Sequence, residues 1–253
     1  TFISFKIFLI YLTFKEKVSL HGISFKYQEN NDEVLNEISL DIKAHQTVGL
    51  VGASGSGKST AINILIGLLQ PTKGSISVDG QELTKETIGA WQQKIGFVSQ
   101  DIFLLDASIK ENIAFGYHPK DIDLDRIDKV LEMAQLDKFV LTLPNGVDTG
   151  VGERGMQLSG GQSQRIGIAR ALYGNPEILV FDEATSNLDR ISEKLIMETI
   201  AAIGKSTTII MIAHRLSTVK ECDNIFLFNN GSIEDSGSYD YLQKTNSQFA
   251  DLT

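Results

Sequence analysis

The stretch from Gly52 to Thr60, with the sequence GASGSGKST, restricts the fold of this chain more than any other. It matches the pattern G-x-x-x-x-G-K-[ST], which occurs as a loop between a buried strand and a helix. The flanking residues agree with that requirement. Val48–Val51 is a short apolar run, and Ala61–Leu69 has helical apolar spacing with Pro71 just beyond its end. The sequence therefore predicts a strand, a loop and a helix in direct succession.

This loop has the composition of a phosphate-binding site. Glycine lets successive backbone N–H groups turn inward as an anion nest, and the following helix adds its N-terminal dipole. Lys58 supplies a positive charge at the β- and γ-phosphates, and the Ser59 hydroxyl is expected on Mg²⁺. The residues that we expect to contact a nucleotide here are Gly52, Ala53, Ser54, Gly55, Ser56, Gly57, Lys58, Ser59 and Thr60.

Two carboxylates follow a second buried run. Ile178–Phe181 is apolar on both faces, as central parallel strands are, and Asp182 and Glu183 come directly after it. Beside a phosphate loop, Asp182 is expected to hold Mg²⁺ through its water shell, and Glu183 to act as general base on a water. His214 follows another apolar run, Thr208–Ala213, and can donate a hydrogen bond to the γ-phosphate or hold that water.

Two further candidates stand at predicted strand ends. Gln100 follows the strand Ile95–Ser99, where its amide oxygen can ligate Mg²⁺; an ordinary surface glutamine is the alternative. Tyr27 ends the strand Val18–Tyr27, where its ring can stack on adenine for about 1 kcal/mol beyond area burial; a surface tyrosine is the alternative. The candidate catalytic residues are Lys58, Gln100, Glu183 and His214, and the candidate Mg²⁺ ligands are Ser59, Gln100 and Asp182.

The overall composition excludes several classes of function. The chain has 253 residues, a formal net charge of −9 and a pI of about 5.0. Because binding to nucleic acid needs local basic charge, this balance argues against nucleic acid as the main partner. The single cysteine, Cys222, excludes an internal disulfide framework and is expected to be a small buried residue. We identify no cluster of metal-ligating residues.

The first residues of the chain allow three interpretations. No methionine precedes Met133, so we expect a piece of a longer protein. Phe2–Phe14 is strongly apolar, yet shorter than the ~20 residues of a membrane-spanning helix. It is interpreted as the end of an upstream membrane segment, as a docked strand or linker, or as an artificial addition.

The remaining patterns predict a chain of strands with one helical insertion. The segment from about 108 to 143 has the helical apolar face Ile127, Val130, Leu131 and Ala134. The other predicted elements are the strand Ile38–Ile42, a hairpin at Ser75–Val78 and Asp79-Gly80, a helix at Ser159–Tyr173, a hairpin of Ile225–Phe228 with Ser232–Glu234, and a helical tail at Ser238–Leu252.

The pentapeptide Leu158-Ser159-Gly160-Gly161-Gln162, here called the signature, completes an ordered set of motifs. Together they resemble the nucleotide-binding domain of an ABC transporter, over about Val18 to Thr253. In chain order the set is Tyr27, the phosphate loop, Gln100, the signature, Asp182-Glu183, the loop Ser186-Asn187-Leu188-Asp189, and His214. The resemblance implies an α/β fold: a P-loop NTPase core with a mostly parallel sheet flanked by helices, an N-terminal antiparallel β subdomain, and an inserted α-helical subdomain.

The resemblance also implies a mechanism and its ligands, ATP and Mg²⁺. Two copies would bind two ATP molecules head to tail, so that each nucleotide is held by one chain's loop and the other chain's signature. The trans contacts carried over are Ser159, Gly160, Gly161 and Gln162, with Asp189 beside them. Glu183 and His214 would then position the attacking water, and release of the γ-phosphate would open the dimer.

Four stretches are similar to exporters in particular. They are Val151–Gly155, Ser99–Leu105, Ser108–Ile113 and Ala213–Thr218. In that class the domain follows six membrane helices in one half-transporter chain, at the cytoplasmic face of the membrane. Gln100, Glu153 and Arg154 would contact the membrane domain. The implied organisation is a linker or remnant at 1–17 and the nucleotide-binding domain at 18–253, with its helical subdomain at roughly 101–172.

The chain departs from the family pattern at four places, none of which removes a catalytic group. His45 stands where a glycine is usual, Ser163 replaces a basic residue, Asn187 replaces a small one, and Phe2–Lys17 is more apolar than the usual linker. Two alternatives to an exporter motor stay open: a separate ATP-binding subunit of an importer, and a soluble ABC ATPase acting outside transport.

Overall fold

The computed structural model describes residues 12–27, 32–184, 188–204, 206–213 and 215–251, without the side chain of Arg154. The predictions for the first eleven residues, Ser186, Asn187 and His214 lie outside these ranges. In chain order, the strands of the described residues are β1 (Lys17–Phe25), β2 (Leu35–Lys43), β3 (Thr47–Val51), β4 (Lys73–Val78), β5 (Gln81–Glu82), β6 (Ile95–Val98), β7 (Ile178–Asp182), β8 (Thr208–Ile212), β9 (Asn224–Asn229) and β10 (Ser232–Gly237).

The helices are mostly short. In chain order they are α1 (Lys58–Leu65), α2 (Ile88–Gln92), α3 (Ile109–Ile113), α4 (Leu124–Met133), α5 (Asp137–Leu141), α6 (Gly160–Tyr173), α7 (Arg190–Ile203), α8 (Leu216–Val219), α9 (Tyr239–Thr245) and α10 (Ser247–Ala250). Short 3₁₀ turns occur at Pro119–Asp121, Gly146–Asp148 and Glu153–Gly155. Among the described residues, none of these helices combines the length and the apolar character that crossing a membrane requires.

The larger sheet has the strand order β10-β9-β3-β8-β7-β6 and is parallel except for the antiparallel pairing of β10 with β9. Its central strands are buried on both faces, as predicted. Ile178 and Val180 of β7 belong to one hydrophobic core, and Leu179 and Phe181 to the other. Because carboxyl ends of parallel strands meet at one edge, the residues that follow β3, β6, β7 and β8 meet there. Among the described residues, this edge carries the phosphate loop, Gln100, Asp182 and Glu183, whereas Tyr27 follows β1 of the other sheet.

The smaller sheet is antiparallel, with the order β2-β1-β4-β5, and confirms the predicted N-terminal β unit. Strand β2 was predicted to start at Ile38 but starts at Leu35. The reason is an irregularity at Glu37, whose φ of 48° interrupts the alternation of buried and exposed residues. Leu12 and Phe14, which precede β1, are buried in the core beneath this sheet.

The segment between β6 and β7 is helical, and its predicted face is correct. Ile127, Val130, Leu131 and Ala134 are all buried against the larger core. Helix α6 begins one residue after Ser159 and ends at Tyr173, as predicted. One predicted helix needs correction, and one helix was not predicted. Helix α1 begins earlier and ends before Gly67, whose φ of 76° stops it, and α7 was not anticipated at all.

Candidate nucleotide-binding site

The phosphate loop lies between β3 and α1, as the motif requires. Its glycines are needed for both conformation and space. Gly52 has a φ of 143°, and a Cβ there would lie 2.1 Å from the carbonyl oxygen of Phe228. Gly57 has a φ of 102°, and its Cβ would lie 2.6 Å from Leu35 Cδ2. The loop is therefore pressed against β2 and β9 from behind, and its open side faces a cleft.

Lys58 is buried inside the loop. Its ammonium group donates to the carbonyl oxygens of Gly52 at 2.8 Å and Ala53 at 2.9 Å, and to Ser56 Oγ at 3.4 Å. Burial lowers the pKa of Lys58, while the charges of Glu183 and Asp182 act to raise it. Lys58 and Glu183 also line the same cleft, so the ammonium group and the acidic end of β7 share one site. Its three acceptors are neutral, so an anionic phosphate would offer a stronger partner.

Glu183 stands directly after β7 in a conformation that is unusual for its residue type. Its φ is 49°, and its N–H donates to the carbonyl oxygen of Ile212 at 3.2 Å. Left-handed backbone in a non-glycine residue costs on the order of 1 kcal/mol or more and is concentrated at functional sites. The hydrogen bond to Ile212 of β8 helps to hold this conformation.

Glu183 and the loop line the same cleft, whose volume is about 160 Å³. The remaining lining comes from Val34, just before β2, and from loop residues that include the exposed Ser59. Sequence reasoning did not identify Val34, because no local pattern marks it: tertiary packing of its carbonyl against Gly57 and Gly231 brings it there. The cleft thus joins a cation, loop amides, hydroxyls and a carboxylate, which is a site that can bind a phosphate group and polarise a water.

Tyr27 lies at the rim of the same region. Its hydroxyl is 3.4 Å from Thr60 Oγ1, and its ring packs edge-on against Phe25 with centroids 4.9 Å apart. The ring remains 42% exposed. The stacking role of Tyr27 stays a prediction, for which the half-exposed ring beside the phosphate loop offers a surface. The strand before it ends at Phe25 and not at Tyr27.

The oxygen donors proposed for Mg²⁺ suit that ion. They are a hydroxyl (Ser59), a carboxylate (Asp182) and an amide (Gln100), and Mg²⁺ prefers few protein oxygens together with waters and substrate phosphates. In the part of the chain that the structure describes, no three His, Cys, Asp or Glu side chains are grouped to hold a metal by themselves. Gln100 is exposed just beyond β6. The donor set fits a metal that arrives with the nucleotide.

The signature forms the N-terminus of α6, and two of its polar side chains each accept a backbone N–H from the other residue. Ser159 Oγ accepts the Gln162 N–H at 3.2 Å, and Gln162 Oε1 accepts the Ser159 N–H at 2.8 Å. This reciprocal pair is a capping box. Gly161 is packed so closely on α7 that a Cβ would lie 2.6 Å from Ser192 Oγ. Leu158–Gln162 are not among the residues that line the loop's own cleft.

Asp189 caps α7 instead of pointing into that cleft. Its Oδ1 accepts the N–H groups of Ile191 and Ser192 at 3.0 Å, and its Oδ2 accepts the Ser192 hydroxyl at 2.7 Å. The Ser192 hydroxyl bond is the largest cause that lowers the pKa of Asp189. Arg215, the residue after His214, pairs with Glu193 of the same helix turn at 2.9 Å. The first turn of α7 therefore contacts three predicted functional segments.

The exporter-like stretch Val151–Gly155 packs beside the segment after β6. Gly155 has a φ of 73°, and a Cβ there would lie 2.7 Å from Leu104 Cδ1.

The other histidines have local partners: His21 Nε2 bonds Ser77 Oγ at 2.9 Å, and His118 caps a 3₁₀ turn. His45 has a φ of 62°, which explains why glycine suits this turn. Cys222 is buried, as predicted.

Comparisons with known proteins give a consistent result. The sequence model of the family described as ABC transporter matches residues 35–186. The ATP-dependent lipid A-core flippase of Cupriavidus metallidurans is 39% identical over 232 residues, 91% of this chain and 39% of that protein. ABC transporter B family member 1 of Arabidopsis thaliana is 43% identical over 226 residues, 89% of this chain and 17% of that protein.

A solved structure is also similar. That of a bacterial Atm1-family ABC exporter with ATP bound has a TM-score of 0.87 and 37% sequence identity, and the match covers 95% of this chain and 42% of that one. The chain thus spans less than half the length of each of these proteins.

Proposed function

The chain belongs to the ABC transporter family as a nucleotide-binding domain of the exporter type, and we propose that it is the ATP-hydrolysing motor of a membrane exporter. The observation that carries the proposal is the single cleft shared by the phosphate loop, Lys58 and Glu183. Phosphoryl transfer depends mainly on positioning and charge neutralisation, which this cleft provides on one side. The names of the relatives, an exporter and a flippase, favour export over import or a role outside transport.

The loop amides, Lys58 and Ser59 hold the phosphates, and Tyr27 supplies a surface for the base. Ser59, Asp182 and Gln100 would hold Mg²⁺, which would supply neutralising charge at the phosphates. Glu183 takes a proton from the attacking water, and His214 holds that water or the γ-phosphate. Glu183 suits this task because its strained backbone fixes its direction without help from a bound ligand.

Completion of the site requires a second copy. The signature lies outside the lining of its own chain's cleft, which supports its use on a partner's nucleotide. We propose a head-to-tail dimer in which Ser159, Gly161 and Gln162 contact the γ-phosphate from the other side, helped by the dipole of α6. A membrane domain in the same transporter would contact Gln100, Glu153 and Arg154 at the cytoplasmic face. It would move when the dimer of nucleotide-binding domains opens and closes. We take 18–253 as the nucleotide-binding domain and roughly 101–172 as its helical subdomain.

The test of the base uses Glu183→Gln. We expect ATP turnover to fall by about 100-fold or more, the size typical of a lost general base, while ATP binding and an ATP-bound dimer persist. The matched control is Glu177→Gln, just before the opposite end of β7, where the carboxylate pairs with Lys94. Turnover at the wild-type rate in Glu183→Gln would show that another group activates the water.

The test of the partner contact uses Ser159→Arg. A long cation at the start of α6 should block closure of the dimer, measured by light scattering with ATP, and should leave ATP binding to the monomer unchanged. Normal dimer formation and hydrolysis by this variant would contradict the head-to-tail arrangement.

A further inference from the structure

The residues that precede β1 are fastened to the turn between β4 and β5 by one carboxylate. Asp79 Oδ2 accepts the N–H of Lys15 at 2.7 Å, and Oδ1 accepts those of Glu16 at 2.9 Å and Lys17 at 3.0 Å. The Asp79 N–H in turn donates to the carbonyl oxygen of Lys17 at 2.9 Å. Burial acts to raise the pKa of Asp79, but these amides hold it below its usual value. Four hydrogen bonds therefore fix the point at which the chain reaches the domain.

Just ahead of this clamp, Phe14 packs edge-on against Trp91 of α2. The ring centroids are 5.8 Å apart and the rings are inclined by 73°. Phe14 is 8% exposed, Trp91 is fully buried, and the nearby Leu12 is 3% exposed. An aromatic pair of this geometry contributes beyond its area burial. The segment Leu12–Lys17, here called the strap, is thus held both by polar contacts and by packing.

Trp91 connects the strap to the helix that carries the phosphate loop. Its Nε1–H donates to the carbonyl oxygen of Leu65 at 2.7 Å, at the C-terminal end of α1. Gln92 Nε2 donates to the carbonyls of Ile66 at 3.3 Å and Gly67 at 3.2 Å. The last carbonyls of a helix have no partner within it, and these two side chains bond the carbonyl of Leu65 and those of the two residues that follow it. The position of α1 is therefore tied to Trp91, and Trp91 is packed by Phe14.

We propose that the strap sets the position of α1 and thereby the affinity of the phosphate loop, with Phe14 and Trp91 as positioning residues for nucleotide binding. Helix α1 is only eight residues long, about 12 Å, so its two ends move together. A displacement of the chain before β1 is transmitted through Phe14 and Trp91 to the end of α1 opposite Lys58. This inference rests on the proposed function, because it assumes that the loop binds a nucleotide.

The test compares Phe14→Ala with a matched control, Phe249→Ala. Phe249 is also buried and packs edge-on against one aromatic ring, Tyr239, with centroids 5.6 Å apart and an inclination of 76°. It lies in α10, and it belongs to the other hydrophobic core. Both variants lose a similar packed ring, so a general loss of stability affects both, whereas only Phe14→Ala should act on α1.

Two readouts are measured on the purified chain: binding of Mg²⁺ with a non-hydrolysable ATP analogue by calorimetry, and quenching of Trp91 fluorescence by acrylamide. Trp91 is the one tryptophan in the sequence. We expect Phe14→Ala to weaken binding by about 3- to 10-fold, within the range seen for coupling through packed residues, and to increase quenching. Phe14→Leu should restore most of both signals, and Phe249→Ala should change neither.

Equal affinities in Phe14→Ala and Phe249→Ala would overturn the inference. If Phe14→Ala does not fold, Asp79→Asn replaces it, since it weakens the clamp without creating a cavity. That variant should speed amide exchange at Lys15–Lys17 and weaken binding of the ATP analogue by about 2-fold or more. Faster exchange with unchanged affinity would refute the proposed role of the strap. A Lys58→Ala arm separates the two proposals: wild-type chain that binds no better than Lys58→Ala refutes the nucleotide site itself.

Discussion

Replacing Gly161 by alanine tests whether the signature helix is locked onto α7. The added Cβ would lie 2.6 Å from Ser192 Oγ and 2.9 Å from Ser192 Cβ, separations that real Cβ atoms essentially never show. Rotation of the hydroxyl cannot relieve the contact with Cβ, and it would break the 2.7 Å bond from Ser192 Oγ to Asp189. Overpacking of this kind typically costs about 1–3 kcal/mol. We therefore expect a loss of about 2 kcal/mol in the free energy of unfolding, which at this chain length is about 4–8 °C in Tm.

The assay is urea unfolding of the nucleotide-free chain, so that contacts with a partner's ATP do not contribute. Gly160→Ala is the matched control at the neighbouring position, because the nearest atom to its Cβ would be Leu188 Cδ2 at 3.6 Å, an ordinary contact. It should be neutral or slightly stabilising, since alanine favours helix over glycine by up to about 1 kcal/mol.

A double-mutant cycle identifies the cause. Ser192→Gly removes both crowding atoms, so the combination with Gly161→Ala should recover at least about 1 kcal/mol relative to the sum of the single changes. If Gly161→Ala is as stable as Gly160→Ala, or if Ser192→Gly gives no recovery, the two helices are not locked through this contact.

Three further predictions concern stability and reactivity. Asn112→Ala should lower the free energy of unfolding by about 2–4 kcal/mol in urea titrations, because this fully buried amide bonds Leu105, Ser108 and Arg170 at once. Asp79→Asn should have a lower free energy of unfolding than wild type at neutral pH. A carboxyl group whose pKa is depressed in the folded state stabilises that state only while it is ionised. The difference should therefore vanish as the pH falls below about 3.9, the unfolded-state pKa, and through the lower folded-state pKa. Cys222 should react with a thiol reagent in urea but hardly in the native state, since burial first, and the charges of Asp223 and Glu221 second, raise the pKa of its thiol to about 12.

The arrangement of candidate residues at the sheet edge could be predicted from the sequence because each of its parts is local. A phosphate loop needs a fixed spacing of glycines and a lysine. Asp182 and Glu183 are recognisable because they directly follow four apolar residues. Parallel pairing of β3, β7 and β8 then brings them together without further information. The strained φ of Glu183 could not be predicted, since it arises from the bond of its N–H to Ile212 in another strand.

Residues that act through tertiary contacts had no such signal. Val34 reaches the cleft through packing of its carbonyl against Gly57 and Gly231, and the irregularity at Glu37 hides the alternation of the strand that follows it. Helix α7 did carry a readable pattern, with Ile196, Ile200 and Ile203 buried at helical spacing. This helix was therefore predictable from its spacing, although it was not predicted. Phe14 lies in an apolar stretch of the sequence, but its partner Trp91 lies on a helix that is too short to be recognised from sequence.

The capping box of the signature and its proposed role on a partner's phosphate are compatible because a serine hydroxyl is both acceptor and donor. Ser159 Oγ accepts the N–H of Gln162, which leaves the hydroxyl hydrogen for donation to an anion. The same bonds fix the first turn of α6, whose early N–H groups have no partners within the helix. Gly161 then presses this turn against Ser192, which is bonded to Asp189 seven residues after Asp182. In the proposed dimer, a displacement of the signature by a partner's nucleotide would therefore act on the segment that follows the candidate catalytic carboxylates.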